Sequence, residues 1–124
     1  MWDTQDMTLT EIQDTLDAVT LSKNTDGTLK ILSAYGADLM SDVLAFSIAD
    51  SLLITHLTNT QVIHTADIAE IKAIVFVQGK RPDIETIALA DGKKIPLLVT
   101  GFSMFDSCGR LYEKGLRSGS DSGA

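Results

Sequence analysis

Cysteine occurs once in the 124 residues, at Cys108, which leaves no partner for an intramolecular disulfide and no thiol cluster for zinc or iron–sulfur ligation. No apolar stretch approaches the roughly 18 residues that a membrane span needs, although 44% of the residues are hydrophobic. The opening run Met1-Trp2-Asp3-Thr4-Gln5-Asp6 is acidic where a secretory signal is basic and then apolar. These absences predict a cytoplasmic protein. Basic residues are also scarce, ten Lys and Arg against 17 Asp and Glu. Residues 1–60 hold nine acidic side chains against Lys23 and Lys30, whereas residues 61–124 hold eight of each sign, so the net charge of −7 lies in the N-terminal half. That balance argues against nucleic acid, because neutralising phosphates takes clustered Lys and Arg. The acidic half reads as a solvated face or a docking surface.

Catalytic signatures are missing too. Gly79-Lys80-Arg81 and Gly92-Lys93-Lys94 lack the leading glycine spacing and the magnesium-binding hydroxyl of a phosphate loop. No G-x-G-x-x-G follows a strand, and no G-x-S-x-G occurs. His56 and His64 stand eight apart without H-E-x-x-H spacing, so they form no metal pair. His64 reads as a surface helix residue and Cys108 as a small core residue, while His56 sits at a strand end where a ligand can be touched. An enzyme would need a nucleophile beside a base, for instance Ser103 against His56. The expectation is a non-enzyme with no catalytic residue, no cofactor and no metal.

What the chain does contain is a repeat. Three times, about 22 residues apart, a short buried strand leads through a small or polar turn into a compact amphipathic helix; the strands are Leu52–Thr55, Ile74–Val77 (within the longer apolar run Ile71–Val77) and Pro96–Thr100. At 124 residues one domain can bury roughly two-thirds of its unfolded surface. Before the repeat, Thr8-Leu9-Thr10-Glu11 has capping-box spacing, and Leu9, Ile12, Leu16 and Val19 share one face of a helix ending near Thr20. A turn at Asp26-Gly27 precedes a strand at Leu29–Ser33, and a short helix after Gly36, capped by Asp38 or Ser41, aligns Leu39, Val43 and Phe46. Within the repeat, Asn59 is placed to cap a helix over Gln61–Glu70 whose core face is Val62, Ile63, Ala66 and Ala69. Pro82 suits the first position of a helix burying Ile84, Ile87 and Ala88, with Asp91-Gly92 as its left-handed cap. Ser103 and Asp106 open a last helix with Met104, Cys108, Leu111 and Tyr112 inward, and the Ser/Gly-rich residues 117–124 read as a flexible C-terminal tail.

Strands joined by single short helices lie parallel, which collects their carboxyl ends on one edge of the sheet. That edge gathers Thr55, His56 and Asn59 from the first turn, Gly79, Lys80 and Arg81 from the second, and Thr100, Gly101 and Ser103 from the third. Open α/β sheets bind ligands at such edges, and helix N-termini there attract anions, although every such fold also needs caps and turns at these places.

Several blocks then carry a resemblance: Ser41–Phe46, Leu52–Thr55 with Leu57-Thr58-Asn59, Gln61-Val62-Ile63, Ile71–Val77, Gly79-Lys80-Arg81-Pro82 and Cys108–Tyr112. In this order they resemble the small stand-alone DRTGG-domain proteins of anaerobic bacteria over residues 9 to 116, although the five letters do not occur as a string. The resemblance implies one DRTGG-like domain over 1–116 and a three-layer α/β/α fold with a largely parallel sheet, like the N-terminal domain of HPr kinase/phosphorylase without its kinase domain. Such modules accompany CBS domains in regulated pyrophosphatases and precede the catalytic part of some phosphate acetyltransferases; stand-alone members often neighbour iron-only hydrogenase genes. The implied function is a non-catalytic regulatory module, paired as a homodimer and sensing a small anionic metabolite or nucleotide at the strand-end edge. The alternative is an interaction module for a redox-enzyme partner. His56 stands where relatives usually have glycine and Thr60 where proline is common; an imidazole in place of glycine changes what a pocket there accepts.

Overall fold

Strands that are apolar on both faces need helices above and below them, and the chain supplies both layers. The structure, a computed structural model, describes residues 6–23 and 25–119. The acidic opening run at 1–5 and the tail residues 120–124 lie outside the described residues. In chain order the elements are β1 (Met7–Thr8), α1 (Leu9–Thr15), β2 (Val19–Thr20), β3 (Lys30–Ile31), β4 (Ser33–Gly36), α2 (Met40–Phe46), β5 (Ser51–Thr55), α3 (Thr60–Ile68), β6 (Ala73–Phe76), α4 (Ile84–Gly92), β7 (Leu97–Val99) and α5 (Met104–Glu113). Five strands form a sheet in the order β2-β7-β6-β5-β4, and β1 pairs with β3 as a separate ribbon. β4 to β7 run parallel, as single-helix crossovers dictate, and β2 lies antiparallel beside β7 with Val19 opposite Val99.

Side chains alternate across this sheet with a period of two. Leu52, Ile54, Ala73, Val75 and Leu98 point to a layer containing Leu9, Ile12 and Leu111 of α1 and α5. Leu53, Ile74, Phe76, Leu97 and Val99 point to the opposite layer, made by Val43 of α2, Val62, Ile63 and Ala66 of α3 and Ala90 of α4. This is the three-layer, largely parallel α/β/α arrangement. Each buried Leu, Ile or Phe contributes about 1.5–3 kcal/mol relative to exposure.

The repeat lies where its periodicity puts it, and most differences from the sequence expectations concern where helices begin and end. The capping box at Thr8 and Glu11 forms, but α1 stops at Thr15 and Val19, on its expected apolar face, is a strand residue 52% exposed. The strand expected at Leu29–Ser33 divides, Lys30–Ile31 pairing with β1 and Ser33–Gly36 joining the main sheet. No side chain caps α2, and of its expected face only Val43 is buried; Leu39 and Phe46 are 60% and 59% exposed. Pro82 stands outside α4, because the Asp83 carboxylate accepts from Thr86 N at 2.9 Å and sets the helix start two residues later, at Ile84. That phase turns Thr86 and Ala90 inward and leaves Ile84 83% exposed and Ala88 on the surface. In α5, Ser107 and Leu111 face the core, whereas Tyr112 lies outside under the Arg117 guanidinium. Of the expected tail, Arg117 accepts a hydrogen bond through its carbonyl from Ala34 N at 3.0 Å, and Leu116 before it is buried.

Gly92 is not the left-handed cap of α4; Lys94 is, at φ +59°. Ile95 N bonds to Ala90 O and Lys94 N to Asp91 O, a Schellman ending that brings Ile95 down beside Ala90 in the core. α3 ends the same way with Glu70 at φ +58° and Ile71 N on Ala66 O, and α1 with Asp17 at φ +48° and Ala18 N on Gln13 O. α5 repeats it with Gly115 at φ +104° and Leu116 N on Leu111 O. Only the last of these four uses the residue type that adopts positive φ without strain. Glu70→Gly is therefore expected to raise the free energy of unfolding by about 1 kcal/mol, read as a higher urea midpoint at unchanged slope. A lower midpoint contradicts the strain assigned to Glu70.

Candidate functional site

The carboxyl ends of β4, β5, β6 and β7 share one edge of the sheet, and their turns follow a common design. Thr55, fully buried at the end of β5, donates from Oγ1 to Asp38 Oδ1 at 2.8 Å and accepts from Leu57 N at 3.2 Å. Thr100, buried after β7, donates from Oγ1 to Leu16 O at 2.6 Å and accepts from Phe102 N at 3.2 Å. Each threonine closes a turn on its own backbone and ties the strand end to a neighbouring segment. The hydroxyls that the sequence offers to a ligand are spent inside the fold.

After β6 the chain makes a turn with both central residues left-handed, Gln78 at φ +56° and Gly79 at φ +69°, closed by Lys80 N on Val77 O at 3.2 Å. This is a type I′ geometry. From here α4 leaves toward one face of the sheet and, from the next strand, α5 leaves toward the other. Such divergence opens a crevice in α/β folds. Here two backbone bonds stitch it together: Gln78 N donates to Phe102 O and Gly79 N to Thr100 O, both at 2.8 Å. The amides of this turn are thus internally satisfied. Around the stitched crevice, Gly101 is exposed with nothing within 4 Å of where a Cβ would stand. Lys80 and Arg81 are exposed and take part in no salt bridge with the described residues.

Asn59 and Ser103 are helix caps, accepting from Val62 N at 3.3 Å and Asp106 N at 3.0 Å. Ser103 follows β7 and His56 follows β5, with β6 between them, a separation of roughly 10 Å at two strand spacings. The edge therefore unites Thr55 with His56, and Gly79 with Thr100, but does not set Ser103 beside His56.

The residue that sequence reasoning misplaced is Asp38. Rather than capping α2, it leaves the end of β4 and grips the next turn: Oδ1 accepts from His56 N at 2.8 Å as well as from Thr55, and Oδ2 lies 2.9 Å from His56 Nδ1. Partial burial raises the Asp38 carboxyl, but the hydrogen bonds from His56 and Thr55 outweigh it and hold it below its ordinary value. Recognition of β4 as a parallel neighbour would have found this contact, since Gly36 opposite Ile54 puts Asp38 level with His56. With Nδ1 engaged, Nε2 is the ring atom left for other partners. Asp38→Ala strands the buried Thr55 hydroxyl and is expected to cost about 1–3 kcal/mol at neutral pH. Because the folded carboxyl is the stronger acid, that advantage of Asp38 is complete above the unfolded value of about pH 4 and fades as pH falls further. Urea unfolding of both proteins at neutral and acid pH measures it; a gap that widens in acid contradicts the assignment.

No family model and no curated protein matches the chain. A solved structure does: the CBS and DRTGG domains of the regulatory region of Clostridium perfringens pyrophosphatase, complexed with its activator diadenosine tetraphosphate. It matches with a TM-score of 0.71 at 19% sequence identity, covering 93% of this chain and 51% of that one. The chain thus spans about half the length of the structure it matches. At that identity the likeness is one of fold, and the fold of this chain is DRTGG-like.

Proposed function

We propose that the protein is a non-catalytic regulatory module that senses a small anionic metabolite, a nucleotide in the first instance, at the carboxyl edge of its sheet. The observation that carries this reading is the shared fold, over 93% of the chain, with a regulatory region solved in complex with a dinucleotide activator. The local chemistry is compatible with it. Lys80 and Arg81 supply positive charge beside an otherwise stitched crevice, Gly101 leaves open space next to it, and the His56 ring, held by Asp38, presents Nε2. Thr55, Asn59, Gly79, Thr100 and Ser103 position these groups rather than bind.

A thermal-shift series with ATP, diadenosine tetraphosphate and acetyl phosphate tests the reading. A ligand at a hundred times its dissociation constant adds about 2.7 kcal/mol, which is several degrees for a protein of this size. The double variant K80A/R81A is expected to abolish the shift while leaving the ligand-free melting point within about a degree, as surface substitutions do. A flat response to all three compounds counts against the sensor.

Pairing of two copies belongs to the same proposal. Leu39, Leu44 and Phe46 form exposed apolar surface on and beside α2, and patches of this kind mark interaction sites. Light scattering is expected to give twice the chain mass for the wild type and the chain mass for Phe46→Asp; a wild-type monomer removes the dimer. The alternative partner for this face is a redox enzyme docking against the acidic N-terminal half, which salt-sensitive co-purification would reveal.

A further inference from the structure

At the other end of the sheet, before β7 rather than after it, lies a cleft of about 440 Å³. One wall is made by Ser22, Lys23, Thr25 and Asp26 between β2 and β3, the other by the end of α4 with the segment that leads into β7. Its floor is apolar, made by Leu29, Ile95 and Pro96, and its rim carries Lys23 and Lys94 with Asp26 and Asp91. The walls are fixed in place by the main chain. Leu97 N donates to Ser22 Oγ at 2.6 Å, Leu21 N to Leu97 O at 2.8 Å, and Lys23 N to Asp91 Oδ1 at 3.4 Å, while the Schellman ending of α4 fixes Lys94 and Ile95. Asp26 is occupied through Oδ1, which accepts from Thr28 N and Thr28 Oγ1.

Three groups in this cleft have chemistry to offer. The ammonium groups of Lys23 and Lys94 enter no salt bridge with a described residue. Thr25 also lines the cleft, but its Oγ1 is closed off from solvent and offers nothing to a ligand. Asp91 Oδ2 accepts no hydrogen bond from them, and it stands in the last turn of α4, where the helix dipole favours a cation. Two positive and two negative side chains cancel, so the cleft discriminates by the position of charge and not by its sum.

The geometry points to a second ligand site, for a zwitterion with an apolar body: an amino acid or dipeptide with aliphatic or aromatic side chains. The ligand's ammonium group meets Asp91 at the end of α4, its carboxylate meets Lys23 and Lys94, and its side chains cover Leu29, Ile95 and Pro96. The volume, at the lower end of the range for small-molecule sites, suits a dipeptide better than a single residue. This site is independent of the proposed sensor edge, being at the opposite end of β7.

The probe is L-leucyl-L-leucine, titrated against the whole chain labelled for amide NMR, beside its N-acetylated form and its C-terminal amide. Saturable shifts are expected at Lys23, Thr25, Leu29 and Ile95, with each blocked form weaker by about tenfold or more for the lost charge contact. Lys23→Met should weaken the free dipeptide and its C-terminal amide differently, because only the former presents a carboxylate, and Asp91→Asn should do the converse with the N-acetyl form. Both variants are compared at an amide spectrum otherwise like the wild type, and Lys23→Met spares the Lys23 N to Asp91 bond. Equal binding of the free and blocked dipeptides overturns the proposal. So does a titration with no shift at these four amides, or with shifts confined to Gly79 and Gly101.

Discussion

Every residue of β5 and of β6 is buried, and this double-sided enclosure governs the rest of the molecule. A sheet that offers no face to water needs the helices packed on it to return the chain to the core soon after they end. The four Schellman endings do this within three residues of the helix, and the residue that follows the left-handed position is buried each time: Ala18, Ile71, Ile95 and Leu116. Asp17, Glu70 and Lys94 adopt positive φ at about 1–2 kcal/mol each. That cost is matched by burying the next side chain, at about 1.5–3 kcal/mol for an isoleucine. Backbone strain here is a consequence of layer packing and marks no reactive group.

The same enclosure decides what the carboxyl edge can do. A threonine buried at a strand end must satisfy its hydroxyl locally, and Thr55 and Thr100 find Asp38 and Leu16 O, neither of them on the strand's own helix. The Gln78-Gly79 amides are taken by the neighbouring turn. The turn amides that could have cradled a phosphate are thereby sealed, and what the edge presents outward is side chains. His56 is the clearest case, because where glycine would have exposed the main chain an imidazole is held upright by a carboxylate from the adjacent strand.

The architecture was legible because long β-branched runs such as Ile71–Val77 at regular spacing have few alternatives to buried parallel strands. Caps that act over three residues were legible as well: Thr8 with Glu11, Asn59 and Ser103 perform as their local chemistry requires. Contacts set by distant pairing were not. Nothing within Ser33–Gly36 announces a strand, since its two faces are held by Ser51 at 2.5 Å from Ser33 and by Cys108 and Met104 packed against Gly36. Without that strand Asp38 could only be read as a local cap. The inward face of α4 was legible in part: Ile87 packs against the core, whereas Asp83 starts the helix two residues later than Pro82 suggested and Ile84 in its first turn lies in solvent.

The contact between the Arg117 carbonyl and Ala34 N lies on β4, the outermost parallel strand. An edge strand with free amides is a template for intermolecular sheet growth. Here a residue from beyond the last helix occupies one of those amides, and at the opposite edge β2 is only two residues long. Both borders are thereby unsuited to templating, so an acidic, strongly apolar chain of this size can hold its sheet closed against fibrillar extension without a proline or a lysine-studded rim.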